Sequence, residues 1–169
     1  MIGLPQGIVK LAEYNSDWQR IYAAEAKVLR GLICEYIADV QHIGSTSVEG
    51  LIAKPVIDIV IGAKKLGNVS FCISPLESIG YEYKGENGIS ERYYFGKGNP
   101  RLFHLHFVEY EGNLWKNYIN FRNRLCENAD LRDEYASLKR NLALQFEHNR
   151  AAYTDSKTSF IEKVLSLKD

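Results

Sequence analysis

The feature that most constrains the fold is an apolar, β-branched run at residues 56–61 that contains one acid, Asp58. Pro55 precedes the run and cannot donate a ladder hydrogen bond, which suits the start of a strand. The run predicts a strand buried in a sheet. Burying an unpaired carboxylate costs on the order of several kcal/mol, so Asp58 needs a metal ion, a cation such as Lys54, or hydrogen-bond donors. Alternatively, Asp58 lies at the open end of the strand and caps a loop.

The remaining pattern predicts an α+β fold. A helix is expected from Asp17, capped by Ser16 or Asp17, with an apolar stripe that extends to Ile37. A second helix is expected at residues 66–79, interrupted at Pro75. Further strands are predicted at residues 40–43, 81–83, 91–95 and 102–109, and Gly-rich spacings favour antiparallel pairing of the last three.

From Asn113 onward the apolar residues follow a period of 3.6, which predicts three helices. The second of these is expected to bury Tyr135, Leu142 and Leu144. The expected architecture is α+β, a mixed β-sheet of about five strands with an N-terminal helix and a C-terminal helical portion packed on it. The 169 residues suit one domain, with the C-terminal helices starting at about residue 113.

The overall charge argues against some classes of partner. Lys and Arg total 21, as do Asp and Glu, so no global attraction draws the chain to nucleic acid or to a membrane. No apolar run approaches the roughly 18 residues that cross a bilayer, and the N-terminus does not resemble a signal peptide. Three cysteines without a CxxC pair indicate small core residues in a reducing cytoplasm, so a cytoplasmic location is expected. The sequence does not indicate an oligomeric state.

A small-residue turn precedes the acidic strand and suggests a phosphate site. We call Gly44, Ser45, Thr46 and Ser47 the Gly-Ser loop. Glycine lets the backbone bend closely around a ligand, and exposed N–H groups beside hydroxyls suit phosphate oxygens. Taken alone, such a loop more often only caps the next element.

Two histidines stand two residues apart on a predicted strand. The side chains of His104 and His106 should point to the same face. With Asp58 they would form a two-histidine, one-carboxylate site for a divalent metal such as Mg²⁺, Mn²⁺ or Zn²⁺, and His42 ends a neighbouring strand. Imidazoles equally suit phosphate binding or general acid–base catalysis, and the alternation is also that of a half-exposed strand.

Several basic residues are candidates for phosphate contacts. Arg92, Arg101 and Arg122 carry guanidinium groups that match phosphate oxygens, and Lys54 would neutralise charge near the acid. The later residues Lys139 and Lys157 are interpreted from the pattern alone as surface charges.

A Gly-Ser turn after one strand, followed about a dozen residues later by an acid on the next, resembles the nucleotidyltransferase superfamily. More closely, the chain is similar to the GrpB family within that superfamily. The matching pieces are residues 42–48, 50–51, 53–59, 104–106, 121–122 and 135–139, together with Tyr153 and Lys157. This resemblance implies a nucleotide or phosphorylated small molecule on the Gly-Ser loop, with His42, Lys54, Arg92 and Arg122 near its phosphates.

The resemblance also implies transfer of a nucleotidyl group to a small-molecule acceptor, with a divalent metal such as Mg²⁺ held by Asp58. The spacing of the two histidines adds His104 and His106 as candidate catalytic and metal-binding residues beside it. The chain departs from the superfamily at Val60, where a second metal-binding acid is expected. A phosphate-binding module without catalysis, or a His/Asp metal site of the hydrolase type, are therefore alternatives. Glu49 replaces a proline that is usual in the family and is either a substitute acid or a solvated loop charge.

Overall fold

The structure is a computed structural model that describes residues 2–167. Within these residues it contains five strands and six α-helices. The strands are β1 (Ile37–Ile43), β2 (Ile57–Ala63), β3 (Tyr81–Tyr83), β4 (Tyr93–Lys97) and β5 (Phe103–Glu109). The helices are α1 (Asp17–Ile33), α2 (Val69–Ser78), α3 (Asn113–Glu127), α4 (Ala129–Gln145), α5 (Arg150–Asp155) and α6 (Thr158–Ser166).

The strands form one mixed sheet in the order β1-β2-β5-β4-β3. Strands β2 and β5 are parallel, and the other neighbouring pairs are antiparallel. The α+β prediction and the antiparallel pairing of the last three strands are confirmed. None of the described helices is long and apolar enough to span a membrane.

The two faces of the sheet have different chemistry because side chains alternate along each strand. Ile59 and Leu105 point to a face that α1 and α2 cover, where the largest apolar cluster lies. Val60 points to the other face and packs against Trp115 of α3. Asp58 precedes Val60 by two residues in β2, so its side chain also points to this second face. It lies outside the contact between Val60 and Trp115, next to the segment that follows β1.

The C-terminal helices hold this following segment in place. Val48 and Leu51 are completely buried against α3, α4 and α6. The rings of Tyr135 and Phe160 stack there with centroids 4.8 Å apart. The helices therefore fix the Gly-Ser loop from its far side.

Several predictions about the elements were wrong. Ile37 begins β1, because α1 already ends at Ile33. Helix α2 continues through Pro75, because its buried residues Val69, Cys72 and Leu76 hold one face of the helix on the core. Helix α5 was not predicted.

The core predictions also need correction. Leu144 is 85% exposed, whereas Tyr135 and Leu142 of the same helix are buried. Cys34 and Cys126 are exposed, and only Cys72 is a core residue. Each exposed side chain lies near the end of its helix, where fewer neighbours are available to cover it.

Candidate functional site

The Gly-Ser loop and Asp58 are in direct contact. Antiparallel pairing places Ile43, the last residue of β1, opposite Asp58 in β2, and Gly44 follows at once. Gly44 has φ +69° and ψ −175°, a conformation that is essentially restricted to glycine. A Cβ atom at Gly44 would lie 2.6 Å from Oδ2 of Asp58, so only glycine permits this approach.

The loop presents backbone donors and one oriented hydroxyl. Among the described residues, the N–H groups of Ser45 and Thr46 donate no hydrogen bond. The Ser47 hydroxyl donates to the Gly44 carbonyl at 2.6 Å and stabilises the turn. Two free N–H groups on a short turn form the kind of concavity that binds anions.

Asp58 meets both predicted histidines. Parallel pairing sets Asp58 beside His104 and Val60 beside His106, so all three polar side chains share one face. The His104 Nδ1 atom lies 2.9 Å from Oδ1 of Asp58, and the His106 Nε2 atom lies 3.7 Å from the same oxygen. The partners of the embedded acid are therefore imidazoles, one of the alternatives that the sequence left open.

Two arginines determine which ring nitrogens carry protons. Arg150 Nη2 lies 3.1 Å from His104 Nε2, and Arg92 Nη1 lies 3.4 Å from His106 Nδ1. A guanidinium group only donates hydrogen bonds, so each of these nitrogens accepts. In the neutral tautomers, the opposite nitrogen of each ring carries the hydrogen that points to Asp58.

The protonation states agree with this network. Burial favours the neutral form of His104 and lowers its pKa, despite the opposing effect of Asp58. Burial alone would raise the pKa of Asp58, but hydrogen bonds from His104 and His106 outweigh it and hold that pKa well below the usual value. Asp58 is therefore ionised beside the neutral imidazole of His104.

This arrangement does not fit the predicted metal site of Asp58, His104 and His106. Both imidazoles direct an N–H group toward the carboxylate. Neither ring therefore presents a lone pair there that could bind a metal ion together with Asp58. Within residues 2–167, no group of three or more His, Cys, Asp or Glu side chains could hold a metal ion. The three predicted residues do converge, but as a hydrogen-bonded group.

Lys139 lies beneath the loop, and its interpretation as a surface charge was wrong. Its side chain is 2% exposed. The Nζ atom donates to the Ser45 hydroxyl at 2.8 Å and to the Ile52 carbonyl, and it lies 4.6 Å from the ring centroid of Tyr135. This amine fixes the loop from behind, and burial lowers its pKa well below the usual value of a lysine.

Two further lysines approach the same region. The Nζ atoms of Lys54 and Lys157 lie 5.2 Å and 4.5 Å from the ring centroid of the buried Tyr153. Burial, reinforced by neighbouring cations, lowers the pKa of Lys54 to about 8 and that of Lys157 to about 7. Lys157 is only partly exposed, so its prediction as a surface charge was also wrong. We call Lys54, Lys139 and Lys157 the lysine cluster.

The helical pattern already contained a signal for Lys139. It follows Tyr135 by four residues and precedes Leu142 by three, and both of these are buried on α4. Residues with this spacing share one helix face, so Lys139 had to be buried as well. Lys139 was interpreted as a surface residue because it is charged, although its spacing on the helix predicts a buried position. Arg150 had no such signal, because α5 was not predicted.

Cations dominate the region around Asp58, although the chain has no net charge. Arg101 and Arg150 line a small cavity together with Lys54 and His104. Arg92 is 6% exposed and Arg101 is 7% exposed, and the Nε atom of each has no hydrogen-bond partner in the described structure. Six basic side chains therefore contact the Gly-Ser loop or the two imidazoles, or line the region beside them: Lys54, Arg92, Arg101, Lys139, Arg150 and Lys157.

Three side chains predicted to bind phosphate, those of His42, Thr46 and Arg122, face elsewhere. His42 points to the opposite face, where Nδ1 bonds Gln19 and Nε2 bonds the buried Thr46 hydroxyl. Burial lowers the pKa of His42 to about 4, so its ring is neutral. Arg122 donates to Gln41 and to the His42 carbonyl, which commits its guanidinium group to the edge of β1. These side chains shape the sheet edge rather than the concavity.

We expect the unfolding free energy of the free protein to rise between pH 7 and about 9. The unfolded lysines have a pKa of 10.5, above the folded values of about 8 for Lys54 and about 7 for Lys157. The unfolded state thus binds more protons in this window, and raising the pH favours the folded state. Above about pH 9, Cys72 opposes the rise, because its folded pKa of about 11 exceeds the unfolded value of 9.0.

Chemical denaturation at constant ionic strength measures this effect. The double variant Lys54→Met, Lys157→Met should flatten the slope. A slope that survives in the double variant would show that other groups cause it.

Comparison with known proteins gives a consistent family. The model of the GrpB protein family matches residues 8–167. The glutamate-rich protein GrpB of Alkalihalophilus pseudofirmus is 35% identical over 98% of this chain and 99% of its own length. The crystal structure of the conserved protein GrpB from Enterococcus faecalis has a TM-score of 0.84 and 35% identity, and covers 92% of this chain and 94% of that one.

A more distant likeness concerns the fold. The Cid1 poly(U) polymerase, in a crystal structure bound to MgATP, has a TM-score of 0.53 and 12% identity. The match covers 78% of this chain and 44% of the polymerase. The family match over nearly the whole chain and this likeness together show that the chain belongs to the GrpB family and has a nucleotidyltransferase-like fold.

Proposed function

We propose that this protein binds a nucleotide or another polyphosphorylated small molecule, with the phosphates on the Gly-Ser loop. The observation that carries the proposal is a loop with two N–H groups that donate no hydrogen bond, on Ser45 and Thr46, with Lys139 bonded to it and further basic side chains nearby. Backbone N–H groups and cations together are what a chain of phosphate oxygens requires.

The amines of the lysine cluster lack partners of opposite sign. Among the described residues, no carboxylate lies within 4.0 Å of an amine of the lysine cluster. Holding several cations together away from water is costly unless an anion compensates them. A bound polyphosphate would supply that anion and accept hydrogen bonds from the loop.

The nucleotidyltransferase-like fold supports a nucleotide as the ligand class, because a solved protein with this fold holds MgATP. Transfer of a nucleotidyl group to a small-molecule acceptor with a divalent metal is the second candidate, favoured by the same likeness. Binding is the stronger proposal because the position of the second acid holds the completely buried Val60.

A thermal-shift panel tests the proposal. The probes are the four ribonucleoside triphosphates, inorganic tripolyphosphate and the matching nucleosides, each with EDTA and with Mg²⁺. At a hundredfold excess over Kd, binding adds about 2.7 kcal/mol, or roughly 5–10 °C in Tm for a chain of this size. Nucleosides should give no shift, because they lack the phosphates that the loop would bind.

A pair of variants locates the binding. Lys157→Gln should weaken triphosphate binding about tenfold or more, because it removes a cation from the cluster. Lys27→Gln is the matched control, since Lys27 is exposed on α1, which packs on the opposite face of the sheet. Stabilisation by nucleosides alone, or equal losses in both variants, would contradict the proposal.

A further inference from the structure

We infer that this protein neutralises the phosphates of its ligand with lysine and arginine side chains, in place of a divalent metal ion. The inference rests on the proposed function and deepens it. It concerns how the ligand's charge is balanced, which the fold alone does not determine. Three features of the described residues support it.

The first feature is the bonding of Asp58. Its Oδ1 atom accepts from the imidazole of His104 and faces that of His106. Arg150 and Arg92 approach the far nitrogens of these rings and so fix the direction of both N–H groups. The carboxylate thus accepts a hydrogen bond from His104 and faces His106, and these contacts compensate its burial without a metal ion.

The second feature is the position where a second acid would stand. Val60 is completely buried and belongs to an apolar cluster with Ile43, Val108 and Trp115. This position is therefore filled by packing between the sheet and α3. Mg²⁺ bound to phosphates usually takes one or two carboxylates, and here Asp58 alone remains.

The third feature is the charge around the loop. A divalent ion in phosphoryl transfer bridges phosphate oxygens and neutralises their charge. Here the lysine cluster and three arginines already place six basic side chains near the loop and the two imidazoles, and bound phosphates would favour their charged forms. Adding a divalent cation to the same space would be opposed by Coulomb repulsion.

Neutralisation by a metal ion and neutralisation by side chains predict opposite effects of Asp58→Asn on triphosphate binding. In a site where Asp58 holds a metal ion, Asp58→Asn should abolish triphosphate binding. In a site neutralised by side chains, Asp58 only repels the phosphates, so Asp58→Asn should strengthen binding by about tenfold. Asparagine keeps the Oδ1 atom that accepts from His104, so the local network is retained.

Isothermal titration calorimetry with inorganic tripolyphosphate and with ATP tests this inference. Each probe is titrated in EDTA and in Mg²⁺ at matched ionic strength, against the unmodified protein and Asp58→Asn. We expect the Kd in EDTA to lie within about tenfold of the Kd in Mg²⁺, or below it. We also expect Asp58→Asn to bind each probe more tightly than the unmodified protein does. Manganese titration followed by electron paramagnetic resonance should show no tight Mn²⁺ site in the free protein.

The outcomes separate the two proposals. Binding that appears only with Mg²⁺, or that Asp58→Asn abolishes in a folded protein, would overturn the metal-free inference and leave the proposed function intact. No binding of either probe in either condition would overturn both. If Asp58→Asn does not fold, the comparison of EDTA with Mg²⁺ on the unmodified protein decides.

Discussion

Gly44→Ala is expected to lower the unfolding free energy by roughly 2–4 kcal/mol and to abolish ligand binding at the Gly-Ser loop. Two costs combine at this position. The backbone at φ +69° and ψ −175° disfavours any side chain, and the new Cβ would lie 2.6 Å from the Asp58 carboxylate. Relief requires either the loop or Asp58 to move, which also disturbs the bond to His104.

Gly50→Ala is the control that separates these costs. Gly50 also has a positive φ, +77°, but a Cβ there would meet nothing within 4 Å. Its substitution should cost roughly 1–2 kcal/mol through backbone strain alone. Urea denaturation of both variants measures the difference. Equal losses would show that the approach of the loop to Asp58 has no energetic consequence.

Lys139→Met is expected to weaken triphosphate binding by roughly 30-fold or more, the equivalent of about 2 kcal/mol. The variant keeps a long apolar side chain but removes the amine that holds the Ser45 hydroxyl and the Ile52 carbonyl. It also leaves the carbonyl of the buried Ile52 without this donor, which should lower the unfolding free energy by about 1–3 kcal/mol. Calorimetric titration and denaturation give the two quantities.

Arg140→Met provides a matched control on the same helix. It removes one positive charge from the adjacent residue, which is exposed. If the role of Lys139 depends on its contacts with the loop, the control should retain nearly all of its affinity, since exposed charges act weakly in water. A comparable loss in both variants would reduce the role of Lys139 to its contribution to the overall charge.

The candidate site was predicted unevenly, and the uneven result has a physical cause. Asp58, His104 and His106 were expected to share a face because side chains alternate along a strand, and they do. Their predicted use as metal ligands does not fit the direction of the imidazole N–H groups, which depends on Arg92 and Arg150. Arg150 lies 46 residues beyond His104, so local pattern could not link them.

His42 shows the reverse error. The sequence joined it to the Gly-Ser loop because it stands two residues before Gly44. The strand alternation that groups Asp58 with His104 sends His42 to the opposite face, where its ring stacks on Tyr22 at 4.6 Å. Closeness in sequence placed it near the loop, but the pairing register decided its direction.

The sequence by itself determined the mixed α+β architecture, the strand that carries Asp58 and the glycine bend before it. These depend on local periodicity and on conformations that few residue types adopt. Only the tertiary structure decided that the acid is held by imidazoles and that six basic side chains gather near the loop and these rings. Those contacts join β2, β5 and the C-terminal helices, and a charged residue is placed by what packs around it rather than by its neighbours in the chain.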